Sequence, residues 1–422
     1  MNYQKVKGTQ DFFNQQVLKY RYLEEVMTSL VKKFGYREII TPIFENTEVF
    51  VRGVGDETDI VKKEMYTFKD KGNRFVTLRP EGTAAVVRSF LENKMYVNTN
   101  LTKLYYFGPM FRYERPQAGR FRQFSQFGIE AFGDSSPLLD ADVINSAFQI
   151  IKKLGISNIV LKINTIGDFA SRQNYAKALK EYFRPQIQSF CEDCQSRLDR
   201  NPLRILDCKV DQNQPLVRQA PQINDYLTDE AKTYFSQVLG ILDVLQIPYE
   251  VTPTLVRGLD YYTDTVFEFV IKSTDETNNL TLCGGGKYSD LIKSFGGPDL
   301  PGIGYAFGIE RLMTILDEQD LMPDFSQNAD VVIIGLDQIA KTVSLELATH
   351  LRLAGYVVEI DYRNTSMKPQ FRLAETKNAR FIIIIGEEEL QNNTYTIKNT
   401  ILKTQVSIAQ SDIFKYLKEN QK

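Results

Sequence analysis

Residues 101–133 constrain the fold more than any other stretch of the chain. LTKLYYFGPMFRYE and GRFRQFSQFGIEAFG are β-rich arms around the loop RPQAG, and such arms pair as neighbouring strands. Side chains two apart on a strand share a face. Arg112 and Glu114 therefore face one way, and Gln126, Gly128 and Glu130 line one face of the returning strand. Half-buried charge is costly without a partner. A sheet face of Arg, Glu, Gln and Glu is thus either solvated surface or the floor of a polar site. Within it, FRYERPQAGRFRQF (111–124) sets four arginines among aromatic residues. That segment reads as a strip for a nucleic-acid backbone or as a pocket for one phosphate-bearing molecule.

The flanking segments point to an α+β layer built on a central antiparallel sheet. Residues 16–34 place Leu18, Tyr22, Val26, Leu30 and Phe34 at helical spacing, with Gly35 as a stop. REIITPIFE follows, strand-like but interrupted by Pro42, which suits an edge or a bend. Residues 64–79 read as a hairpin around DKGN, and 138–155 as a helix. The polar, glycine-poor stretch 168–250 reads as a helical insertion. Strands are expected again at 266–272 and 279–283, then a helix over 305–318. After a linker at 321–329, apolar strands alternate with helices, which predicts a C-terminal α/β domain with a mostly parallel sheet. The expected domains are 1–325, with its insertion at 168–250, and 330–422.

The 422 residues carry a net charge of −2, with a pI near 5.8. Non-specific DNA coating needs a strong basic excess, so DNA is not an expected partner, while a local basic site stays open. The start, MNYQKVKGTQDFF, shows no apolar leader, and runs such as FIIII are too short to span a bilayer. The cytoplasm is the expected compartment and no membrane is expected. Four cysteines make no disulfide framework. Cys191 and Cys194 form C-x-x-C, and Cys208 follows, but zinc usually takes four ligands and no histidine is nearby. Reduced thiols are expected there, with no metal on Cys or His. Cys283 is expected to pack in a strand, and the single histidine, His350, to sit on a helix without a catalytic role.

Several short polar blocks stand out in order: LRPEGT (78–83), the 111–130 stretch, TLVRGLDYYT (254–263), CGGGKYSD (283–290) and PGIGYAFGIERLM (301–313). Thr83 alone could be an ordinary helix cap. Gly286-Lys287 is followed by Tyr288 rather than Ser or Thr, and the spacing of a P-loop fails. The glycines there still fit a close approach to a ligand or another strand.

Together with KGTQDF and TPIFENTEVFVRGVG near the start, these blocks resemble the histidyl-tRNA synthetases, a class II aminoacyl-tRNA synthetase family. The resemblance spans essentially the whole chain. LVRGLDYYT with GGGKY is particular to the histidine enzymes and their close relatives. It implies ATP-dependent activation of L-histidine to histidyl-adenylate, with release of pyrophosphate and transfer of histidine to its tRNA. It implies Mg2+ carried with ATP. Arg112 and Arg257 would meet the α-phosphate as catalytic residues, and Arg120 and Arg311 the γ-phosphate and the adenine side. Glu114 would accept from the adenine amino group and Phe124 stack on its ring. Glu81, Thr83 and Gln126 would meet the α-ammonium of histidine, Glu130 and Tyr262 its ring nitrogens, with Tyr288 in the same pocket. Many relatives carry HQFG where this chain has SQFG; Ser125 alternates away from Gln126, so little effect is expected. The C-terminal domain resembles an anticodon-binding domain, with Arg363, Lys368, Arg372 and Lys377 as candidate contacts. A homodimer with 37–55 at its interface is also implied. Regulatory paralogues of the family lack the C-terminal domain and often lose catalytic arginines. Here the domain, Arg112, Arg257 and Arg311 are all present.

Overall fold

Leu23, Met27 and Val31 recur every fourth residue and bury one face of the helix Gln15–Lys33, which ends before Gly35 at φ +84°. The structure is a computed structural model. It describes residues 3–420 except 56–57, 98, 116–118, 207, 209, 257–260, 273–279, 326–327 and 364. Two units separate, Met1–Pro323 and Asp324–Lys422.

The first unit contains β1 (Arg37–Glu38), β2 (Phe44–Asn46), β3 (Tyr66–Lys69), β4 (Phe75–Leu78), β5 (Thr102–Phe111), β6 (Gln123–Phe132), β7 (Ile159–Thr165), β8 (Tyr249–Val251), β9 (Thr263–Ile271), β10 (Leu280–Tyr288) and β11 (Gly302–Gly308). An eight-stranded sheet runs β1-β5-β6-β11-β10-β9-β7-β8. Its middle is antiparallel, but β1 lies parallel to β5 and β8 parallel to β7. A central antiparallel sheet was expected; the sheet is mixed, antiparallel in its middle and parallel at both edges. Parallel neighbours need a long crossover, and the helical segments between β7 and β8 and the many residues between β1 and β5 provide it. Pro42 splits the 37–45 run: β1 joins the large sheet, while β2 pairs with β4 in a second sheet, β2-β4-β3. The 64–79 hairpin forms there as β3 and β4.

A second correction concerns 305–318. Residues 302–308 are strand β11, pairing with β6 and β10, and the helix begins only at Ile309. Tyr305 and Phe307 alternate into the core with a two-residue period that overrides the helical pattern.

One face of the large sheet packs under helices. Phe127, Ile129 and Phe267 meet Leu23, Ile144, Leu242 and Leu312 in that core. The helix Pro137–Lys153 starts on a Ser136 cap that accepts the Leu138 N–H at 3.1 Å, worth ~1 kcal/mol. The other face carries Tyr106, Phe132 and Tyr288 with Val86, Phe90 and Ile292. Between β7 and β8, Tyr175, Leu179, Phe183, Leu198 and Ile223 form a separate helical core, whereas the helix Asp229–Val244 packs into the main one.

In the second unit the strands are β12 (Val331–Gly335), β13 (Val358–Ile360), β14 (Phe381–Ile385), β15 (Thr394–Asn399) and β16 (Thr404–Ala409), in the order β13-β12-β14-β15-β16. The first two pairings are parallel and the last two antiparallel. A mostly parallel sheet was expected; the sheet is evenly mixed. Only the helices Gln338–Leu353 and Met367–Thr376 are long enough to serve as crossovers, and the connections after β14 are too short for a parallel return.

Candidate active site

The second face of the large sheet forms the floor of a cavity of about 720 Å³. Strand alternation aims Gln126 and Glu130 of β6 into it, while Ser125 turns away and donates its N–H to Glu310 at 2.8 and 2.9 Å. Glu130 is 1% exposed. Its carboxylate accepts from the Thr83 hydroxyl at 2.6 Å and from the Tyr288 hydroxyl. Burial, with Glu81 nearby as a lesser contributor, pushes the Glu130 carboxyl up to about 8, against those two donors. A Cβ at Gly304 would collide with Glu130 Oε2, so glycine in β11 makes room for the acid.

Glu81 sits where the helix Thr83–Glu92 begins. It accepts from the Thr83 N–H at 2.7 Å and the Ala84 N–H at 2.8 Å, taking donors that the first helical turn leaves unsatisfied. Burial raises its pKa and those N–H bonds oppose the rise. Thr83 is the first helical residue, with Gly82 at the cap position, so its hydroxyl serves Glu130 rather than the helix. Gln126 Oε1 is buried and has no hydrogen-bond partner among the described residues. Tyr262 and Tyr288 line the same end, and burial first holds the Tyr288 phenol well above its ordinary value, as a donor.

The other end is cationic. Arg112 donates from Nε to the Pro80 carbonyl at 2.8 Å and lies over the Phe124 ring at 5.4 Å. Glu114 stands 4.0 Å from Arg112 and 3.7 Å from Arg120. Arg112 and Glu114 follow the end of β5 rather than lying within it. Arg311 reaches the Thr281 carbonyl at 2.6 Å, and burial, then Arg120, lower its pKa. Glu114, Arg120, Phe124 and Arg311 all line this cavity. Arg257 lies outside the described residues. Of the unassigned arginines, Arg122 stacks 3.9 Å over Tyr113 and donates its backbone N–H to Gly8 at 2.7 Å, so it fastens the loop to the N-terminal segment; Arg115 is exposed.

Two lining residues escape a strand-by-strand reading. Tyr106 is buried against both Gly82 and Gly128, where any Cβ would strike its ring. Those two glycines were its signal. Glu268 lies on β9 and accepts from Thr281 at 3.0 Å; a lone acid inside VFEFV was the signal for it.

In the second unit, Arg363 is bound to Asp361 by two 2.9 Å hydrogen bonds, and Lys377 to Glu359 at 2.7 Å. Lys368 and Arg372, four apart on the helix Met367–Thr376, are exposed.

A family model described as histidyl-tRNA synthetase matches residues 8–312, and one described as anticodon binding domain matches residues 330–420. The chain is 48% identical to the histidine–tRNA ligase of Bacillus subtilis (strain 168) over 423 residues, covering 100% of both. It is 48% identical to that of Geobacillus sp. (strain WCH70) over 420 residues, 99% of each. The crystal structure of apo S. aureus histidyl-tRNA synthetase matches with a TM-score of 0.85 at 42% identity, over 99% of this chain and 100% of that one. The chain belongs to the histidyl-tRNA synthetase family.

Proposed function

We infer that this class II synthetase activates L-histidine with ATP and transfers it to the tRNA for histidine. The histidine carboxylate attacks the α-phosphorus; the new O–P bond forms as the bond to pyrophosphate breaks. The 3′-terminal ribose hydroxyl of the tRNA then takes the histidyl group and AMP leaves. The first step brings negative charge onto negative charge. Fixed positive charge and positioning therefore matter more than a nucleophilic side chain.

The observation that carries this reading is the polarity of one cavity, with buried acids and a Gln126 acceptor that has no partner among the described residues at one end and arginines at the other. Glu81, Thr83 and Gln126 receive the α-ammonium. Glu130, Tyr262 and Tyr288 take the imidazole nitrogens. A pocket of such groups rejects analogues that leave them unpaired, by ~10⁴-fold. Arg112, with Arg257, grips the α-phosphate, since a guanidinium fork matches phosphate oxygens and keeps its proton. Arg120 and Arg311 meet the γ-phosphate and the adenine side, Glu114 the adenine amino group and Phe124 its ring.

Mg2+ accompanies the phosphates. It takes oxygen ligands, commonly one or two carboxylates beside phosphate oxygens, and Glu268 at the arginine end fits that need. Glu268 would hold such an ion, and the chemistry it would supply is positive charge beside the pyrophosphate oxygens.

Lys368 and Arg372 are the better-placed tRNA contacts of the second unit, because Arg363 and Lys377 are held by local carboxylates. Ile40, Ile43 and Phe44, with Phe68 and Phe75 of the small sheet, are exposed apolar residues that fit a homodimer interface around 37–55. The test is charging: the chain with ATP should esterify histidine onto its tRNA. A folded chain that binds ATP and histidine yet charges no tRNA would overturn the reading.

A further inference from the structure

The helical insertion gathers a set of donors given no role in the cavity's chemistry, although one of them, Cys208, also lines the cavity. Cys191, Cys194, Cys208 and Asp211 each offer one ligand atom, and these four atoms lie within 4.8 Å of one another. Cys191 Sγ is 3.7 Å from Cys208 Sγ, and Cys208 Sγ is 3.7 Å from Asp211 Oδ2. A disulfide would hold the sulfurs at ~2.05 Å. A tetrahedral zinc ion with Zn–S near ~2.3 Å and Zn–O near ~2.0 Å spaces its ligand atoms ~3.5–3.8 Å apart. The Cys191–Cys208 and Cys208–Asp211 separations match that spacing, and the whole set, within 4.8 Å, needs only a small contraction to close around one ion.

Sequence spacing agrees. Cys191 and Cys194 form C-x-x-C at the start of the helix Glu192–Arg200, and Cys208 with Asp211 repeats the interval as C-x-x-D. Two such knuckles are the usual frame of a four-ligand zinc site, here with a carboxylate where the fourth thiol commonly stands. The three thiols alone fall one ligand short, and the fold supplies an acid rather than a histidine as the fourth donor.

Burial sets this acid apart from a surface carboxylate. Asp211 is 3% exposed, Cys194 0% and Cys208 5%. Asp211 accepts from neutral donors, among them the Cys191 N–H at 3.0 Å, the Gln214 side-chain amide at 2.7 Å and the Cys208 and Cys194 thiols. Among the described residues these donors satisfy the carboxylate without a charge partner, and a divalent cation would supply one. The Gln214 bond falls on Oδ1, so it orients the carboxylate with Oδ2 toward the thiols, as outer partners of metal ligands do.

We propose that Cys191, Cys194, Cys208 and Asp211 bind one structural zinc ion in a closed, four-coordinate site. The thiols bind as thiolates, and their three protons pass to solvent. Three thiolates select zinc over magnesium or calcium, which take oxygen ligands. The ion ties the start of the helix Glu192–Arg200 to Cys208 and Asp211. That helix carries Asp193, 3.2 Å from Lys63, and Arg197, 3.6 Å from Asp59. All four of those residues line the catalytic cavity, so the metal would fix how the insertion is held against it.

The test uses the full-length chain, purified without a polyhistidine tag or chelator, and elemental analysis. About one zinc per chain is expected, falling below about a tenth in Cys208→Ser and in Asp211→Asn. Should those variants misfold, wild-type protein stripped of metal and titrated with Co2+ decides alone. Tetrahedral cobalt absorption with thiolate-to-cobalt charge transfer, saturating near one equivalent, supports the site. Three results would each overturn the proposal: wild-type protein with less than about a tenth of an equivalent of zinc and no such cobalt spectrum, a Cys191–Cys208 disulfide in the freshly purified chain, or an iron–sulfur chromophore.

Discussion

Glu130 shows how a single residue can serve function at the cost of stability. It is buried, and its carboxyl is held at about 8 against an ordinary value of 4.5. Between those values the folded chain keeps a proton that the unfolded chain has released, so this residue's contribution to stability falls as pH rises through the window. Glu130→Gln removes the step. The melting temperature of the variant minus that of wild type should therefore grow from pH 5 to pH 8, while histidine activation falls by about 100-fold or more. A difference that stays constant with pH would contradict the assignment. Arg112 makes a complementary case, anchored by the Pro80 carbonyl at one nitrogen with its guanidinium lining the cavity. Arg112→Ala should lower the rate of adenylate formation by roughly 100-fold and change histidine affinity only a few-fold; equal losses in both would remove its phosphate role. Gln126, Gly128 and Glu130 were legible in the sequence because strand alternation is local. Tyr106 and Asp211 were not. The first matters through glycines 24 and 22 positions away, Gly82 and Gly128, and the second through Cys191 and Cys194, 20 and 17 positions away, which only the fold brings near.

At the scale of elements, local signals succeeded where packing agreed with them. Gly35 ends the first helix, DKGN turns the β3–β4 hairpin, and the long arms at 101–133 pair as β5 and β6. They failed where partners lie far away in sequence. The short parallel edges β1 and β8 depend on distant crossovers, and 302–308 becomes a strand because β6 and β10 both claim it. The helix Met367–Thr376 gives a further test at this scale. Its exposed Lys368 and Arg372 are one turn apart. Replacing both with alanine should weaken tRNA binding by roughly ten-fold and flatten its salt dependence, while histidine-dependent pyrophosphate exchange stays unchanged. Unaltered tRNA affinity would return the helix to an ordinary solvated surface.

For the whole molecule, the two units divide the work: the first holds the cavity and the second the proposed tRNA contacts. The exposed apolar residues of the first unit bear on assembly. Phe44 is 57% exposed on β2. Phe44→Glu should shift the chain from dimer to monomer in sedimentation analysis; a wild-type chain that is already monomeric at micromolar concentration would refute the interface. The central claim is that one polarised cavity joins histidine to ATP. Isotope exchange between pyrophosphate and ATP, run with each amino acid in turn, tests it most directly. Exchange should require histidine and proceed without tRNA. Tight histidine binding with no exchange would contradict the claim and leave a histidine-sensing regulator in its place.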